Sequence, residues 1–282
     1  MLIEARAKIN WAIKVVGTRA DGYHLLDSLI QRIRLSDLIE LTASPKIRLS
    51  VLGKDDLGDD TANLAYRAAQ SLQAYSGFSG GALITLHKRI PIRAGLGGGS
   101  ADAAAVLLGL NELWNLRLPI SQLESIAVTL GADVPCCLYE GLVRVRGIGE
   151  IVEPIQGGKE YPLLLIQPGS GLSTKTVFER FDREPPPKAY DLQPAIKALV
   201  SGNEQAIKKH CVNQLQNTAV RMLPQIQEAI ADLFKHKAVF AQMTGSGSCV
   251  FGLFSSINGA REAFLALSPV WEICLLTSSE QG

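Results

Sequence analysis

The residues of this chain that could carry chemistry are concentrated in a glycine-rich run, PIRAGLGGGSADAAA, which begins at Pro91. Glycine has no Cβ atom, so four glycines in five residues allow positive φ angles and a close approach to a bulky anion. Ser100 and the alanines after it favour a helix, and the free N–H groups at a helix start bind anions. A turn capped by Ser100 is the simpler alternative. The density of glycines nevertheless predicts a phosphate-binding loop over Gly95, Gly97, Gly98 and Gly99.

The glycine run differs from the two commonest phosphate loops. A Walker A loop ends in Gly-Lys-Ser/Thr, whereas here Gly99 is followed directly by Ser100. The dinucleotide fingerprint fits only if Ser100 replaces its last glycine. It also requires a strand ending in an acidic residue about 20 residues further on, where this chain has a second helical pattern. We therefore reject a Walker A loop and disfavour a dinucleotide-dependent oxidoreductase.

Two ionisable residues outside the loop, Lys8 and Asp133, are candidates for chemistry on a bound phosphate. Lys8 lies in the apolar run AKINWAI, where strand alternation predicts Lys8 and Asn10 on one face and Ile9 and Trp11 on the other. Asp133 lies in GADVP, a constrained turn after a helix, where most aspartates serve only the turn. Because a buried lysine needs a carboxylate partner, we hypothesise that the two side chains form a pair.

Composition bounds the class of protein. The chain has 282 residues and a formal net charge of +1, so it can form one or two domains and offers no basic surface for nucleic acid. Its apolar runs, such as residues 163–166, are far shorter than a membrane span, and its first residues resemble neither a signal nor a transit peptide. We expect a cytoplasmic protein that binds small molecules and neither nucleic acid nor membranes.

Cysteine and histidine spacing gives no indication of a metal site. The five cysteines are an odd number without C-x-x-C spacing, and the four histidines are scattered. A disulfide framework and protein ligands for a metal are therefore not expected, and Cys136 and Cys137 are interpreted as small buried hydrophobic residues.

Strands and helices that would position these residues interleave along the whole chain. Strands are predicted within residues 2–52 and over 81–91, 142–146, 162–169, 238–245, 248–254 and 270–276. Helices are predicted over 61–75, capped by Thr61, and over 101–113, 120–130, 193–200, 204–219, 224–234 and 258–267, with a proline-rich loop at 181–191. The order lacks a strict βαβ repeat, so we predict an α+β fold.

Three motifs of the chain resemble those of the galactokinase, homoserine kinase, mevalonate kinase and phosphomevalonate kinase superfamily, the GHMP kinases. The glycine run resembles their nucleotide loop. ARAKINWAIKV from Ala5 resembles their amino-terminal motif, and MTGSGSCVFGLF from Met243 resembles their carboxy-terminal glycine motif. The three motifs occur in the family's order across nearly all of the chain.

The resemblance implies a two-domain kinase that uses ATP as co-substrate, with Mg²⁺ inferred from the chemistry of ATP. A ribosomal-protein-S5-like amino-terminal domain would span 1–155, and a ferredoxin-like carboxy-terminal domain would span 156–282, with the active site between them. Lys8 and Asp133 match the catalytic positions. The implied ATP-binding residues are Pro91, Ile92, Arg93, Ala94, Gly95, Leu96, Gly97, Gly98, Gly99, Ser100 and Ala101.

A third glycine cluster, composed of Gly245, Ser246, Gly247 and Ser248, links two predicted strands. Taken alone, it is interpreted equally well as a hairpin turn. The resemblance implies instead that this cluster lies beside the nucleotide loop as a secondary part of the site.

Within the superfamily, KINW, RADGYHLLDSL and LGADVPCCL resemble a branch that phosphorylates a cytidine-diphosphate-linked polyol in isoprenoid biosynthesis, by the methylerythritol phosphate route. This resemblance implies that Tyr23 and Phe178 sandwich the cytosine ring and that His24 hydrogen-bonds the base. Asn10 and Thr174 are further candidates for acceptor binding. A flat pyrimidine ring requires such aromatic walls with polar groups at the rim.

Two other kinds of function remain open at this point. A homoserine- or mevalonate-type kinase would share the three motifs, but the DGYH segment at Asp21–His24 argues against it. A non-catalytic nucleotide-binding protein would share the fold, but the presence of Lys8 and Asp133 argues against loss of turnover. One minor departure from the family is Ala101-Asp102, where many members have Ser-Asp or Ser-Asn.

Overall fold

The computed structural model describes residues 1–52, 62–185 and 187–281 of the chain. Thr61, the expected cap of the first helix, and Pro186 of the expected proline-rich loop lie outside these ranges. The strands are β1 (Leu2–Thr18), β2 (His24–Ser44), β3 (Arg48–Leu52), β4 (Gly81–His87), β5 (Leu142–Gly147), β6 (Ile151–Ile155), β7 (Pro162–Gln167), β8 (Phe240–Met243), β9 (Val250–Leu253) and β10 (Ile273–Ser278). The helices are α1 (Leu64–Ser76), α2 (Gly98–Leu113), α3 (Ile120–Leu130), α4 (Thr174–Phe181), α5 (Gln193–Ser201), α6 (Glu204–His210), α7 (Gln216–Met222), α8 (Gln225–Lys235) and α9 (Ile257–Leu267).

The first sheet is organised around the long strand β2. Its order is β3-β4-β2-β5-β6, and β1 pairs antiparallel with β2 from Leu2↔Glu40 to Thr18↔His24. Register shifts interrupt this pairing between Arg6 and Lys8 and again between Asn10 and Ala12. Such bulges change the direction in which side chains point. They lie on both sides of the Lys8–Asn10 segment that the sequence marks as functional.

Helices α1, α2 and α3 cover the first sheet and form one core with it. Helix α2 is buried along most of its length because its first half consists mainly of small residues, four of them alanine, which allow close packing on all sides. Its N-cap is Gly97, at φ +67°, so Ser100 lies in the first turn and the expectation that Ser100 opens the helix is wrong. Helix α1 is capped by Asn63, whose side chain accepts a hydrogen bond from the N–H of Ala65.

The second sheet has the antiparallel order β10-β7-β9-β8. Helices α8 and α9 pack against one of its faces. In chain order this unit consists of strand β7, helices α4 to α8, strands β8 and β9, helix α9 and strand β10. Strand β10 lies beside β7 in the sheet. This is the β-α-β-β-α-β arrangement of ferredoxin-like domains, and the expected α+β class is confirmed.

The two sheets share a core in which Trp11 of β1 is fully buried. Its ring packs edge-on against Tyr161 and Phe251, with ring centroids 5.2 Å and 5.1 Å away. The centroid of the Phe240 ring lies 6.2 Å away. The indole N–H, which would be costly to bury alone, donates to Gln31 Oε1 at 2.7 Å. A strand of the first sheet is thereby packed directly onto the second.

At three places the observed elements differ from those predicted. The single helix expected over 204–219 is wrong, because α6 ends at His210 and α7 begins at Gln216. The chain between them leaves the helix to bond with β1: the N–H of Ile13 donates to Val212 O, and the N–H of Gln214 donates to Ile13 O. Helix α4, capped by Ser173, and strand β6 were not predicted.

Candidate active site

Lys8 lies where β1 meets the glycine-rich loop. Its backbone N–H donates to Leu96 O at 3.0 Å, and its ammonium donates to Gly95 O at 3.2 Å. The same ammonium donates to Asn10 Oδ1 at 2.8 Å, so Lys8 and Asn10 share a face of the strand, as the alternation predicts. Strand β1 and the loop are thus held together at the predicted catalytic lysine.

Asp133 faces Lys8 from the turn after α3. Its Oδ2 lies 3.4 Å from Lys8 Nζ, and the lysine side chain is 3% exposed whereas that of Asp133 is 47% exposed. Gly131 ends α3, and a 3₁₀ turn over Pro135–Leu138 follows, so Asp133 lies between two ordered elements. The predicted pair is therefore formed, with a buried cation behind a solvent-accessible carboxylate.

The backbone of Asp133 is held by Cys136, whose Sγ donates to Asp133 O at 3.1 Å. A hydrogen bond with Cys137 and burial both raise the pKa of the Cys136 thiol well above its usual range. This thiol therefore remains protonated near neutral pH and serves as a hydrogen-bond donor, because nucleophilic chemistry needs the thiolate.

Two glycines of the loop are required by its geometry. Gly95 and Gly97 have φ angles of +76° and +67°, and a Cβ on Gly95 would lie 2.5 Å from Thr244 O. A Cβ on Gly97 would lie 3.0 Å from Cε of Lys8. Gly98 and Gly99 belong to α2 and do not have positive φ, so the expectation of positive φ at all four glycines is wrong for these two.

The carboxy-terminal glycine cluster packs against the same loop. The N–H of Asn10 donates to Thr244 Oγ1 at 2.9 Å, and the N–H of Cys249 donates to Ala94 O at 3.2 Å. Asn213, between α6 and α7, donates from Nδ2 to the carbonyls of Met243 and Gly245, each at 2.9 Å. All three predicted motifs therefore meet in one place.

A cavity of about 750 Å³ opens beside this meeting point. It is lined by many of the predicted site residues, namely Lys8, Asn10, Tyr23, His24, Gly95, Ser100, Asp133, Thr174, Phe178, Gly245 and Ser246. Arg93 and Gly247 line an adjoining cavity of about 470 Å³. The remaining predicted residues line neither cavity: they are Pro91, Ile92, Ala94, Leu96, Gly97, Gly98, Gly99, Ala101 and Ser248. Of these, Pro91, Ala94, Leu96, Ala101 and Ser248 are buried.

The predicted cytosine-binding residues lie together in the larger cavity. The His24 and Phe178 rings stack on each other with centroids 4.4 Å apart and an angle of 22° between their planes. His24 Nε2 lies 2.7 Å from Asp182 Oδ1, a partner that the sequence did not indicate. Tyr23 is 59% exposed, and Thr174 Oγ1 lies 2.8 Å from Ser246 Oγ.

Three residues that shape the site, Asp182, Asn213 and Thr244, were missed by sequence reasoning. Thr244 lies within the MTGSGSCVFGLF motif, directly before Gly245, and could have been named with the glycine cluster. Asp182 and Asn213 lie in stretches without a recognisable motif, and only the tertiary contacts reveal them.

Within residues 1–52, 62–185 and 187–281, no group of three or more His, Cys, Asp or Glu side chains is arranged to hold a metal ion. None of the helices in these ranges combines the length and the apolar character that crossing a membrane would need.

Comparisons with known proteins agree with this geometry. The family description "GHMP kinases N terminal domain" matches residues 63–141, and "GHMP kinases C terminal" matches residues 195–272. A 4-diphosphocytidyl-2-C-methyl-D-erythritol kinase of Carboxydothermus hydrogenoformans is 40% identical over 269 residues, which cover 95% of this chain and 93% of that protein. The kinase of the same name from Pelotomaculum thermopropionicum is 41% identical, with 92% and 90% covered.

Solved structures show the same relationship. The crystal structure of a 4-(cytidine 5'-diphospho)-2C-methyl-D-erythritol kinase superposes with a TM-score of 0.86 at 33% identity, covering 100% of both chains. A homoserine kinase from Cytophaga hutchinsonii superposes with a TM-score of 0.72 at 18% identity, covering 98% of this chain and 94% of its own, which shows a common fold alone. The three motifs, the two matched domains and the close relatives together show that this chain belongs to the GHMP kinase family, and within it to the 4-diphosphocytidyl-2-C-methyl-D-erythritol kinases.

Proposed function

We propose that the chain transfers the γ-phosphoryl group of ATP to the 2-hydroxyl of 4-diphosphocytidyl-2-C-methyl-D-erythritol, a step of the methylerythritol phosphate route. The observation that carries this proposal is the Lys8–Asp133 pair, 3.4 Å apart, in a cavity shared by the glycine loop and an aromatic cluster. The names of the close relatives supply the acceptor. A cytoplasmic location remains a prediction.

The glycine loop binds the ATP phosphates in this proposal. The first N–H groups of α2, from Gly98 onward, have no partner within the helix and point toward its N-terminal end, where the helix dipole favours negative charge. Gly95 and Ser100 line the cavity at this end, and the Lys8 ammonium lies beside Gly95. The phosphates are held by backbone donors and one fixed cation, without a Walker lysine.

Asp133 acts as the base for the acceptor hydroxyl. Its carboxylate is half exposed at the cavity, so a hydroxyl can reach it, and Lys8 supplies positive charge on its buried side. Lys8 is itself positioned by Asn10 and Gly95, so little reorganisation is needed when the acceptor binds. This arrangement suits phosphoryl transfer, in which positioning and charge neutralisation supply most of the catalysis.

Mg²⁺ accompanies the ATP phosphates in this proposal. Protein sites for Mg²⁺ commonly provide one or two carboxylates while substrate phosphates supply further oxygens, so a dedicated cluster of acidic residues is not required. Ser100 lines the cavity, and its hydroxyl is a suitable oxygen ligand beside the phosphates. When bound, the metal neutralises phosphate charge.

The acceptor's cytosine lies at the aromatic end of the cavity, against Tyr23, His24 and Phe178. The stacked His24 and Phe178 rings present a flat aromatic surface, and the exposed Tyr23 ring supplies a second one. Thr174 belongs to the acceptor site through its place in the lining of the same cavity. We also propose the domain division at 155/156, between the end of β6 at Ile155 and the start of β7 at Pro162.

Replacing Asp133 by asparagine tests the catalytic assignment. Asparagine preserves size but cannot accept the hydroxyl proton, so we expect kcat to fall by roughly 10²- to 10⁴-fold while ATP affinity stays close to wild type. Coupled ADP release measures the rate, and calorimetry measures ATP binding. Asp191→Asn, an exposed carboxylate outside the cavity, is the control. An Asp133→Asn enzyme that retains a third or more of the wild-type rate contradicts the role.

A panel of acceptors tests the substrate. We expect turnover with the cytidine-diphosphate-linked polyol and none of comparable rate with free methylerythritol phosphate, homoserine or mevalonate. A comparable rate with any of these three contradicts the proposed acceptor, and ATP binding without any turnover indicates a non-catalytic nucleotide-binding protein.

A further inference from the structure

A cluster of three charged side chains is buried beneath the nucleotide loop, and we name it the Lys88 cluster. The side chains of Lys88, Asp37 and Asp102 are 6%, 0% and 3% exposed. The Lys88 ammonium forms an ion pair with Asp37 Oδ2 and another, at 2.7 Å, with Asp102 Oδ2. One cation therefore joins β2, the end of β4 and helix α2.

The Lys88 cluster contacts both flanks of the predicted ATP-binding segment 91–101. On its amino-terminal side, Asp37 Oδ1 accepts hydrogen bonds from the N–H groups of Arg89 and Ile90, the latter at 2.8 Å. On its carboxy-terminal side, Asp102 is the residue directly after Ala101. A Cβ on Gly98 would lie 3.6 Å from Lys88 Nζ, so the ammonium lies directly below the first turn of α2.

We propose that Lys88 is a positioning residue, which holds the nucleotide loop in its binding shape by tying its two flanks together through Asp37 and Asp102. The inference rests on the proposed function only for the identity of the nucleotide. A loop whose ends are joined has fewer conformations to lose on binding, and preorganisation of this kind increases affinity. Lys88 thereby acts through the loop and does not contact the phosphates itself.

The composition of the cluster argues against a role in stability alone. Two carboxylates share one ammonium, and Asp102 Oδ1 has no hydrogen-bond partner among the described residues. Buried charges with incomplete partners generally stabilise a fold less than apolar residues of similar size would. Asp102 is surrounded on α2 by Ala101, Ala103 and Ala104, so an apolar side chain would fit the helix easily. A polar, ionisable residue at this position is better explained by its contact with Lys88.

Two substitutions at Asp102 test whether its contact with Lys88 positions the loop. Asp102→Ala removes the link to α2, leaves Lys88 paired with Asp37, and places alanine in an alanine-rich helix, so the fold should persist. Asp102→Asn keeps an oxygen that can accept from Lys88. We expect Asp102→Ala to weaken ADP binding about tenfold and to raise the KM for ATP by a similar factor, the scale of one lost charged hydrogen bond. The acceptor KM should stay unchanged, and Asp102→Asn should bind ADP like wild type.

Lys88→Met provides a second test, with Arg144→Met as its control. Arg144 forms a bidentate ion pair with Asp27 on the same sheet, at 2.8 and 2.9 Å, and lines neither cavity. We expect both variants to lose a similar amount of thermal stability. Lys88→Met should also bind ADP more weakly than wild type, whereas Arg144→Met should bind ADP as tightly as wild type. If Lys88→Met does not fold, Asp102→Ala decides.

ADP binding is measured by calorimetry without any acceptor, so an error in the proposed acceptor would leave this result unchanged. A folded Asp102→Ala enzyme that binds ADP like wild type overturns the proposal. Equal increases in the KM values of ATP and acceptor also overturn it, because they indicate a general structural role.

Discussion

His24 makes two contacts at the cavity, and they come from the other half of the molecule. Its ring stacks on Phe178 of α4, and its Nε2 lies 2.7 Å from Asp182. A side chain held on its face and at its edge loses little freedom when a ligand arrives, so less of the binding free energy is spent on ordering it. The position of His24 is therefore largely set before any ligand enters the cavity.

We predict that His24→Ala selectively weakens acceptor binding. The acceptor KM should rise about tenfold, the scale of a hydrogen bond lost together with ring contacts, while the KM for ATP stays unchanged. Steady-state kinetics with each substrate varied in turn provides the measurement. His87→Ala is the matched control, since His87 also has a carboxylate partner, Glu40 at 2.9 Å, but lies outside the cavity. Parallel rises in both KM values would be evidence against cytosine recognition by His24.

Residue-scale prediction succeeds where neighbouring residues set the geometry. The alternation of β1 predicts that Lys8 and Asn10 share a face, and their hydrogen bond at 2.8 Å confirms it. Prediction from the sequence fails for Asn213, which donates a hydrogen bond to the carbonyl of Gly245. It fails also for Asp182, whose carboxylate contacts His24. Both partners are distant in sequence, and neither Asn213 nor Asp182 belongs to a local motif.

At the scale of elements, two glycines of the glycine-rich segment differ in what their positions require. Gly95 combines a φ of +76° with a Cβ position 2.5 Å from Thr244 O. Gly99 has an ordinary helical conformation, and the nearest atom to a Cβ there is a Leu64 methyl at 3.6 Å. The two positions therefore respond oppositely to the same methyl group.

We predict that Gly95→Ala abolishes most ATP binding, whereas Gly99→Ala leaves it intact. Alanine at Gly95 must move either the loop or the Thr244 carbonyl, while alanine at Gly99 meets only a flexible side chain and favours the helix. Calorimetric titration with ATP distinguishes the two, with circular dichroism to verify folding. Unchanged ATP affinity in a folded Gly95→Ala protein would show that the loop does not bind phosphates.

Element boundaries were predictable only where local signals mark them. The helix over 120–130 was predicted with its observed bounds, following a proline at 119 and ending before Gly131. The break between α6 and α7 has neither glycine nor proline in CVNQL, so the sequence favours one continuous helix. Hydrogen bonds between Ile13 and this segment outweigh that preference, and propensity is commonly overridden in this way.

For the molecule as a whole, titration of the Asp102 carboxyl makes the free energy of unfolding depend on pH. Burial and the neighbouring Asp37 raise the pKa of its carboxyl from 3.8 to about 7, although Lys88 opposes them. The unfolded chain releases this proton near the ordinary pKa, and the folded chain retains it until about pH 7. Because the folded state binds more protons in between, the free energy of unfolding contributed by this group falls as the pH rises from about 4 to 7.

We predict that Asp102→Asn removes this part of the pH dependence. Relative to wild type, the variant should gain stability as the pH rises through that window, by on the order of 2–4 kcal/mol at pH 8. Chemical denaturation at a series of pH values measures the difference. Parallel curves for the two proteins across the window would mean that the Asp102 carboxyl titrates normally.

The α+β fold class was predictable from the sequence, but the packing of the two sheets on each other was not. The alternation of strands and helices and the order of the motifs are compatible with many relative orientations of two sheets. The observed one is specified by contacts such as those of Trp11 with Tyr161 and Phe251, which no periodicity reveals. Alternation indicates only that Trp11 points away from Lys8.

The hydrogen bond from Asn10 to Thr244 has a consequence for the order of events during folding. It joins residues separated by 234 positions, and the loop carbonyl beside it belongs to a third, intermediate stretch of chain. Contacts of such long range form late because a long loop must close first. During synthesis, the glycine loop emerges well before its carboxy-terminal support. The nascent chain can therefore complete this contact only after Thr244 has left the ribosome.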